Sequence, residues 1–216
     1  MADQNSVNII NSCINKGNIV SKRQSYGIST YSYGHIDKNE ILNCYNLGDI
    51  SSFETASGIG SINNIYNSYN LGNVTSTDLS IYTTPGGIYG YMYNNLPYLN
   101  IFNCYNYGKV FGGMNPNYRG NIIGTLRGVT PILKNCYYVD QERTMGDDSL
   151  STKCTTEELS SSEFISKLNT FIETAGNNED IDTTNYAKWV KGENNLPTLD
   201  FNTIWNGSAW IEKKDI

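Results

Sequence analysis

The chain has 216 residues, 17% of them charged, a formal net charge of -6 and a pI near 4.8. No basic run appears, which excludes a nucleic-acid footprint, and no apolar stretch approaches the ~20 residues of a membrane-spanning helix. Seventeen Tyr, with abundant Asn and Ser, suit β surfaces rather than helices or disorder, and Met1-Ala2-Asp3 reads as an ordinary start without the features of a signal peptide.

One ten-residue pattern recurs along most of the chain. It reads Ile10 to Ile19 (Ile-Asn-Ser-Cys-Ile-Asn-Lys-Gly-Asn-Ile), Ile41 to Ile50, Ile65 to Val74 and Ile101 to Val110, and a degenerate fifth copy runs from Leu133 to Asp140. The anchoring Asn15, Asn46, Asn70 and Asn106 lie 31, 24 and 36 residues apart, a period typical of solenoids and propellers. Between the copies sits a shorter Gly-Ile signal, at Tyr26-Gly27-Ile28-Ser29, Ser57-Gly58-Ile59-Gly60, Gly86-Gly87-Ile88-Tyr89-Gly90 and Asn121-Ile122-Ile123-Gly124. Each unit therefore offers two short strands and cannot close a core alone. Stacking equivalent residues about 4.8 Å apart gives every strand a neighbour. The expected architecture is mainly β: a right-handed parallel β-solenoid, or β-helix, of about four to five rungs over residues 1–140.

Strand parity assigns faces. With Cys44, Asn46, Gly48 and Ile50 inward, Tyr45, Leu47 and Asp49 point outward, and the chain must bend near Asn43, a residue type that tolerates the left-handed region. The expected inner rows are Ile10/Ile41/Ile65/Ile101/Leu133, the structural stack Cys13/Cys44/Ser68/Cys104/Cys136, and Ile19/Ile50/Val74/Val110. The odd cysteine count and the substitution by Ser68 favour buried, reduced thiols over disulfides, and the absence of a Cys-x-x-Cys or Cys/His cluster argues against metal. Outside lie Tyr45, Tyr69 and Tyr105. Long loops around them carry Tyr82, Tyr91 and Tyr93, and these six tyrosines are the candidate ligand-binding residues, since exposed rings stack on sugars or partner proteins.

Residues 141–154 read as a polar linker and 155–216 as a helical or mixed cap with a small α component. Thr155 to Glu158 has the form of a capping box, and Ser160 to Glu163 repeats it. Leu159, Phe164, Ile165, Leu168, Phe171 and Ile172 give the helical face that follows, and Trp189, Trp205 and Trp210 are apolar groups that need covering. A catalytic β-helix needs clustered carboxylates. Here Asp37, Glu40, Asp49, Glu54 and Asp78 are scattered, Asp147-Asp148 and Glu142 offer at most a calcium site in a linker, and the lone His35 has no His partner. No cofactor is expected.

The pairing of Asn-Cys-Tyr-Asn-x-Gly-x-Ile/Val with Gly-Gly-Ile-x-Gly resembles the GLUG-type repeats of large bacterial surface and secreted proteins, including adhesins and regions flanking IgA-specific metallopeptidases. Tyr137-Tyr138, Thr156 to Leu159, Glu163-Phe164, Leu168-Asn169, Trp189 and Leu196 to Leu199 continue the resemblance to the chain's end. Ser29, Tyr31 and Asn121 depart from it. The resemblance implies an extracellular, cell-wall-associated or secreted array segment beside another domain of a larger chain. The scattered acids add the expectation of a non-catalytic surface or secreted module for adhesion, ligand binding or positioning a neighbouring domain, and the tyrosines that of a host protein or glycan as partner. The alternative is a carbohydrate-active β-helix enzyme or a carbohydrate-binding accessory module.

Overall fold

The computed structural model describes residues 8–29, 39–78, 83–90, 98–112, 119–125, 130–139, 150–178 and 181–214. It divides into two compact units, Met1–Lys153 and Cys154–Ile216. The first unit is mainly β with parallel sheets in a β-helix-like arrangement.

The repeat copies pair in the register their alignment demands. One sheet joins Ile9–Asn11, Glu40–Leu42, Asn64–Tyr66, Asn100–Phe102 and Ile132–Lys134, with Ile10, Ile41, Ile65, Ile101 and Leu133 as successive partners. A second joins Ile14–Asn15, Tyr45–Asn46, Tyr69–Asn70, Tyr105–Asn106 and Tyr137–Val139. A third joins Ile19–Ser21, Ile50–Ser52, Val74–Ser76 and Val110–Phe111. The Gly-Ile segments meet through single parallel bridges from Ser29 to Gly60, Gly60 to Tyr89 and Tyr89 to Ile123. That register places Gly120 opposite Gly86 and Asn121 opposite Gly87, so Asn121 stands where the other copies have Gly, as the sequence alignment has it.

Apolar rows supply the core. Ile41, Ile65 and Ile101 are fully buried and pack in one cluster with Ile59, Ile88 and Ile122, while Ile50, Val74 and Val110 form a second. Each fully buried aliphatic side chain contributes about 1.5–3 kcal/mol.

Polar rows set the register. The amide of Asn15 donates to Asn46 (2.6 Å), Asn46 to Asn70 (2.7 Å) and Asn70 to Asn106 (2.8 Å), and each of the four amides also donates to the carbonyl of the glycine two residues on. A second ladder runs in the opposite sense, from Asn135 to Asn103, Asn67, Asn43 and Asn11. Ser12, Asn43, Asn67, Asn103 and Asn135 all have φ between 48° and 58°, the bend expected at Asn43. Asn tolerates that region better than other side-chain-bearing residues because its short amide bonds locally.

Glycine is required where adjacent backbones touch. A Cβ on Gly72 would lie 1.9 Å from the Gly48 carbonyl oxygen, and one on Gly87 would lie 2.0 Å from that of Asn121. In the Gly27, Gly58 and Gly87 row each Cβ direction points at the next copy's carbonyl, so Asn121, the last described member, escapes the constraint.

The second unit begins with helix α1 (Thr156–Leu159), whose capping box pairs Thr155 with Glu158 in both directions. Helix α2 (Ser162–Asn178) follows. Its cap is Ser161, which accepts from Phe164 N at 3.1 Å; Ser160 instead donates back to the Thr156 carbonyl, so the expected second box at Ser160 and Glu163 does not form. An antiparallel sheet of Ala187–Lys191, Pro197–Trp205 and Trp210–Glu212 completes the unit. Asn169 clips α2 to this sheet by bonding both the N–H and the carbonyl of the buried Trp189, each at 2.9 Å.

Asn70→Ala removes an acceptor and two donated bonds from a fully buried row, so we expect a loss of about 3 kcal/mol or more in urea unfolding, against about 1 kcal/mol for Asn15→Ala at the half-buried end. Ser12→Asn places the favoured residue at φ 58° and is expected to raise stability by about 0.5–1 kcal/mol in the same assay.

Candidate functional site

The structural stack behaves as a row of interchangeable small donors. The thiol of Cys44 donates to the Leu42 carbonyl (3.1 Å) and that of Cys104 to Phe102 (3.2 Å), while the Ser68 hydroxyl donates to Tyr66 (2.7 Å). In the same row Cys13 N donates to the Cys44 sulfur (3.3 Å) and Cys44 N to the Ser68 oxygen (3.0 Å). All five cysteines are free, and Cys13 is exposed whereas Cys44, Cys104 and Cys136 are buried. Burial pushes the Cys44 and Cys136 thiols up to about 12 and Cys104 well above its ordinary value, because the thiolate is poorly solvated there. In the protonated form each serves as a hydrogen-bond donor to a nearby carbonyl.

The candidate tyrosines divide. Tyr45 is half-buried, and its ring stacks on Tyr69 at 4.6 Å and 14°; Tyr69 stacks on Tyr105 at 5.0 Å and 4°. Tyr69 and Tyr105 are buried, so neither presents an open ring face, and burial holds the Tyr105 phenol in its protonated form. Both remain outside the Cys/Ile core cluster, as the strand alternation requires. Tyr82, Tyr91 and Tyr93 lie outside the described residues, as do His35, Asp37, Glu142, Asp147 and Asp148.

The described acids have local duties. Asp49 accepts the Asn73 amide at 2.8 Å, as Asn18 accepts that of Asp49 and Asn73 that of Lys109. Its carboxylate is one member of a corner row in which Asn serves equally. Glu54 pairs with Arg23 at 3.1 Å on the surface. Among the described residues no group of three or more His, Cys, Asp or Glu could hold a metal ion.

A groove of about 350 Å³ opens in the second unit, lined by Ile172, Glu173, Gly176 and Asn177 of α2, by Ile181 to Thr184, and by Trp205 and Gly207. Beside it the half-buried Trp210 meets Trp205 edge to face at 5.4 Å, donates its indole N–H to Glu173 (2.6 Å) and lies under the Lys188 ammonium at 5.6 Å. An indole face flanked by a carboxylate and an ammonium can stack on an apolar ring face and bond to hydroxyls around it. From sequence, the two tryptophans read only as apolar groups to be covered. Their spacing across the Asn206-Gly207-Ser208 turn is the signal that sets the rings side by side, but Glu173 comes from a distant helix that pattern alone does not connect to them.

No protein-family model matches the chain, and no curated protein matches it. Among solved structures it is similar to the crystal structure of a "putative immunoglobulin A1 protease from Bacteroides ovatus", at 18% identity and a TM-score of 0.56. The match covers 89% of this chain and 57% of that one, so this chain spans little more than half of its neighbour's length. At that identity the likeness is one of fold.

A thiol whose pKa is raised by folding keeps its proton in the native chain while the unfolded chain loses it, so its contribution is intact below about 9 and lost as pH climbs towards about 12. Unfolding free energy measured in urea should therefore fall through that window. Cys44→Ser, which repeats the exchange already present at Ser68 in the next copy, should flatten part of the fall.

Proposed function

We propose that this chain is a non-catalytic module of a bacterial surface or secreted protein, built as a right-handed β-solenoid of four to five GLUG-type rungs, that binds a host protein or glycan or positions a neighbouring domain. The observation that carries this reading is the employment of the repeated polar side chains. Asn46, Asn70 and Asn106, Asp49, and the Cys44/Ser68/Cys104 row are engaged in bonds within and between copies. These described positions of the repeat are thus accounted for by stacking. The fold likeness to the Bacteroides ovatus protein agrees with a module that accompanies a larger chain, and the repeat resemblance supports an extracellular location.

The second reading, a carbohydrate-binding accessory module, is favoured by the groove beside Trp205, Trp210 and Glu173. One experiment addresses both. The chain is applied to immobilised glycans and to immunoglobulin A1, and bound and soluble fractions are examined by mass spectrometry. Retention without cleavage is the expected outcome; turnover of any polysaccharide or of the antibody overturns the non-catalytic reading. Loss of glycan retention by tenfold or more in Trp210→Ala, with unchanged protein binding, assigns sugar contact to the second unit.

A further inference from the structure

We infer that the N-terminal edge of the first copy is a docking surface for one more parallel rung of the same Asn-x-Gly type. The first observation is Gly17. Its counterparts are glycine for a steric reason: a Cβ on Gly48 would lie 2.1 Å from the Gly17 carbonyl oxygen, one on Gly72 1.9 Å from that of Gly48, and one on Gly108 1.8 Å from that of Gly72. In each case the obstacle is the preceding copy. A Cβ on Gly17 meets, among the described residues, only Oδ1 of its own Asn15 at 3.9 Å, and Gly17 does not have the positive φ that would favour glycine. The residue is held to a constraint that becomes physical only when another carbonyl lies over it.

The second observation is independent of backbone space. Oδ1 of Asn46, Asn70 and Asn106 each accepts the side-chain amide of the preceding copy's Asn. Oδ1 of Asn15 takes the local Gly17 N–H instead, at 3.2 Å. The amides of Lys16 and Asn18 are the counterparts of Leu47 N and Asp49 N, which donate to the preceding copy's Asn15 carbonyl and Asn18 Oδ1, both at 2.8 Å. The inner rows also end half-covered here, since Ile10 and Ile19 are partly buried where Ile41 and Ile50 are fully so. Among the described residues, donor, acceptor, apolar row and open space all recur in the spacing a rung supplies.

The occupant is a rung carrying an Asn amide over Asn15, not the far end of a second copy of this chain. In the last copy Tyr138 stands opposite Asn106, so that end has no amide to continue the ladder, and a net charge of -6 on each chain opposes end-to-end contact. This edge chemistry is the same wherever the protein resides and whether or not it is catalytic.

The test inserts a duplicate of Glu40–Asn63 between Asn8 and Ile9, since Ile9 and Asn64 are both register partners of Glu40. Thermal unfolding of the extended chain is expected to shift up by roughly 4 °C or more. Gly17→Ala is expected to leave the parent chain unchanged and to abolish that gain in the extended one. An extension that gives no upward shift overturns the inference, and so does a gain that survives Gly17→Ala. Concentration-dependent self-association of the parent chain in sedimentation, dispersed by Gly17→Ala, also overturns it by assigning the edge to a second copy.

Discussion

The structure depends on one interaction repeated from copy to copy: a buried asparagine side chain that donates to the equivalent asparagine and to the glycine carbonyl beside it. A primary amide is the side chain with both a donor pair and an acceptor on one planar group, so it can satisfy its own strand and the adjacent one together. A slip of one residue would place an amide against an aliphatic side chain and leave several buried polar atoms without partners, each costing about 1–3 kcal/mol. The ladder thus converts a generic preference for parallel pairing into a single register. The neighbouring glycine is tied to the same geometry, because backbones close enough for the amides to meet leave no room for a Cβ.

Once register is held, the remaining rows follow with little further information. Isoleucines stack on isoleucines, and the thiol row accepts serine without change because either group donates to a nearby carbonyl and accepts an amide from the preceding copy. The insertions between copies differ in length because only the stacked positions are constrained. This separation lets a scaffold keep its stacked strands while its loops vary. The second unit follows different rules. Its order comes from helix capping, from the Asn169 clip on Trp189 and from an antiparallel sheet, and it offers an aromatic groove beside charged groups.

The tyrosines show how far alternation reaches. Parity correctly separates Tyr45, Tyr69 and Tyr105 from the inner row of Cys44, Ser68 and Cys104. It does not say whether the other side faces solvent. Tyr45 is half-buried and Tyr69 and Tyr105 are buried, with their rings stacked along the array. Exposure is a property of everything that surrounds a face, and a period of two residues carries no information about it.

The repeat, its aligned register, the inner rows, the left-handed bend at Asn43 and its equivalents, and the capping box at Thr155 were all legible in the amino-acid order, because each is a local or translational property written in spacing and residue type. Other features emerged only on folding: the opposite senses of the two asparagine ladders, the duty of Asp49 as a corner acceptor, the burial of Tyr69 and Tyr105, and the meeting of Trp210 with Glu173. These depend on which atoms approach across tens of residues, and spacing along the chain does not encode the direction from which a distant side chain arrives.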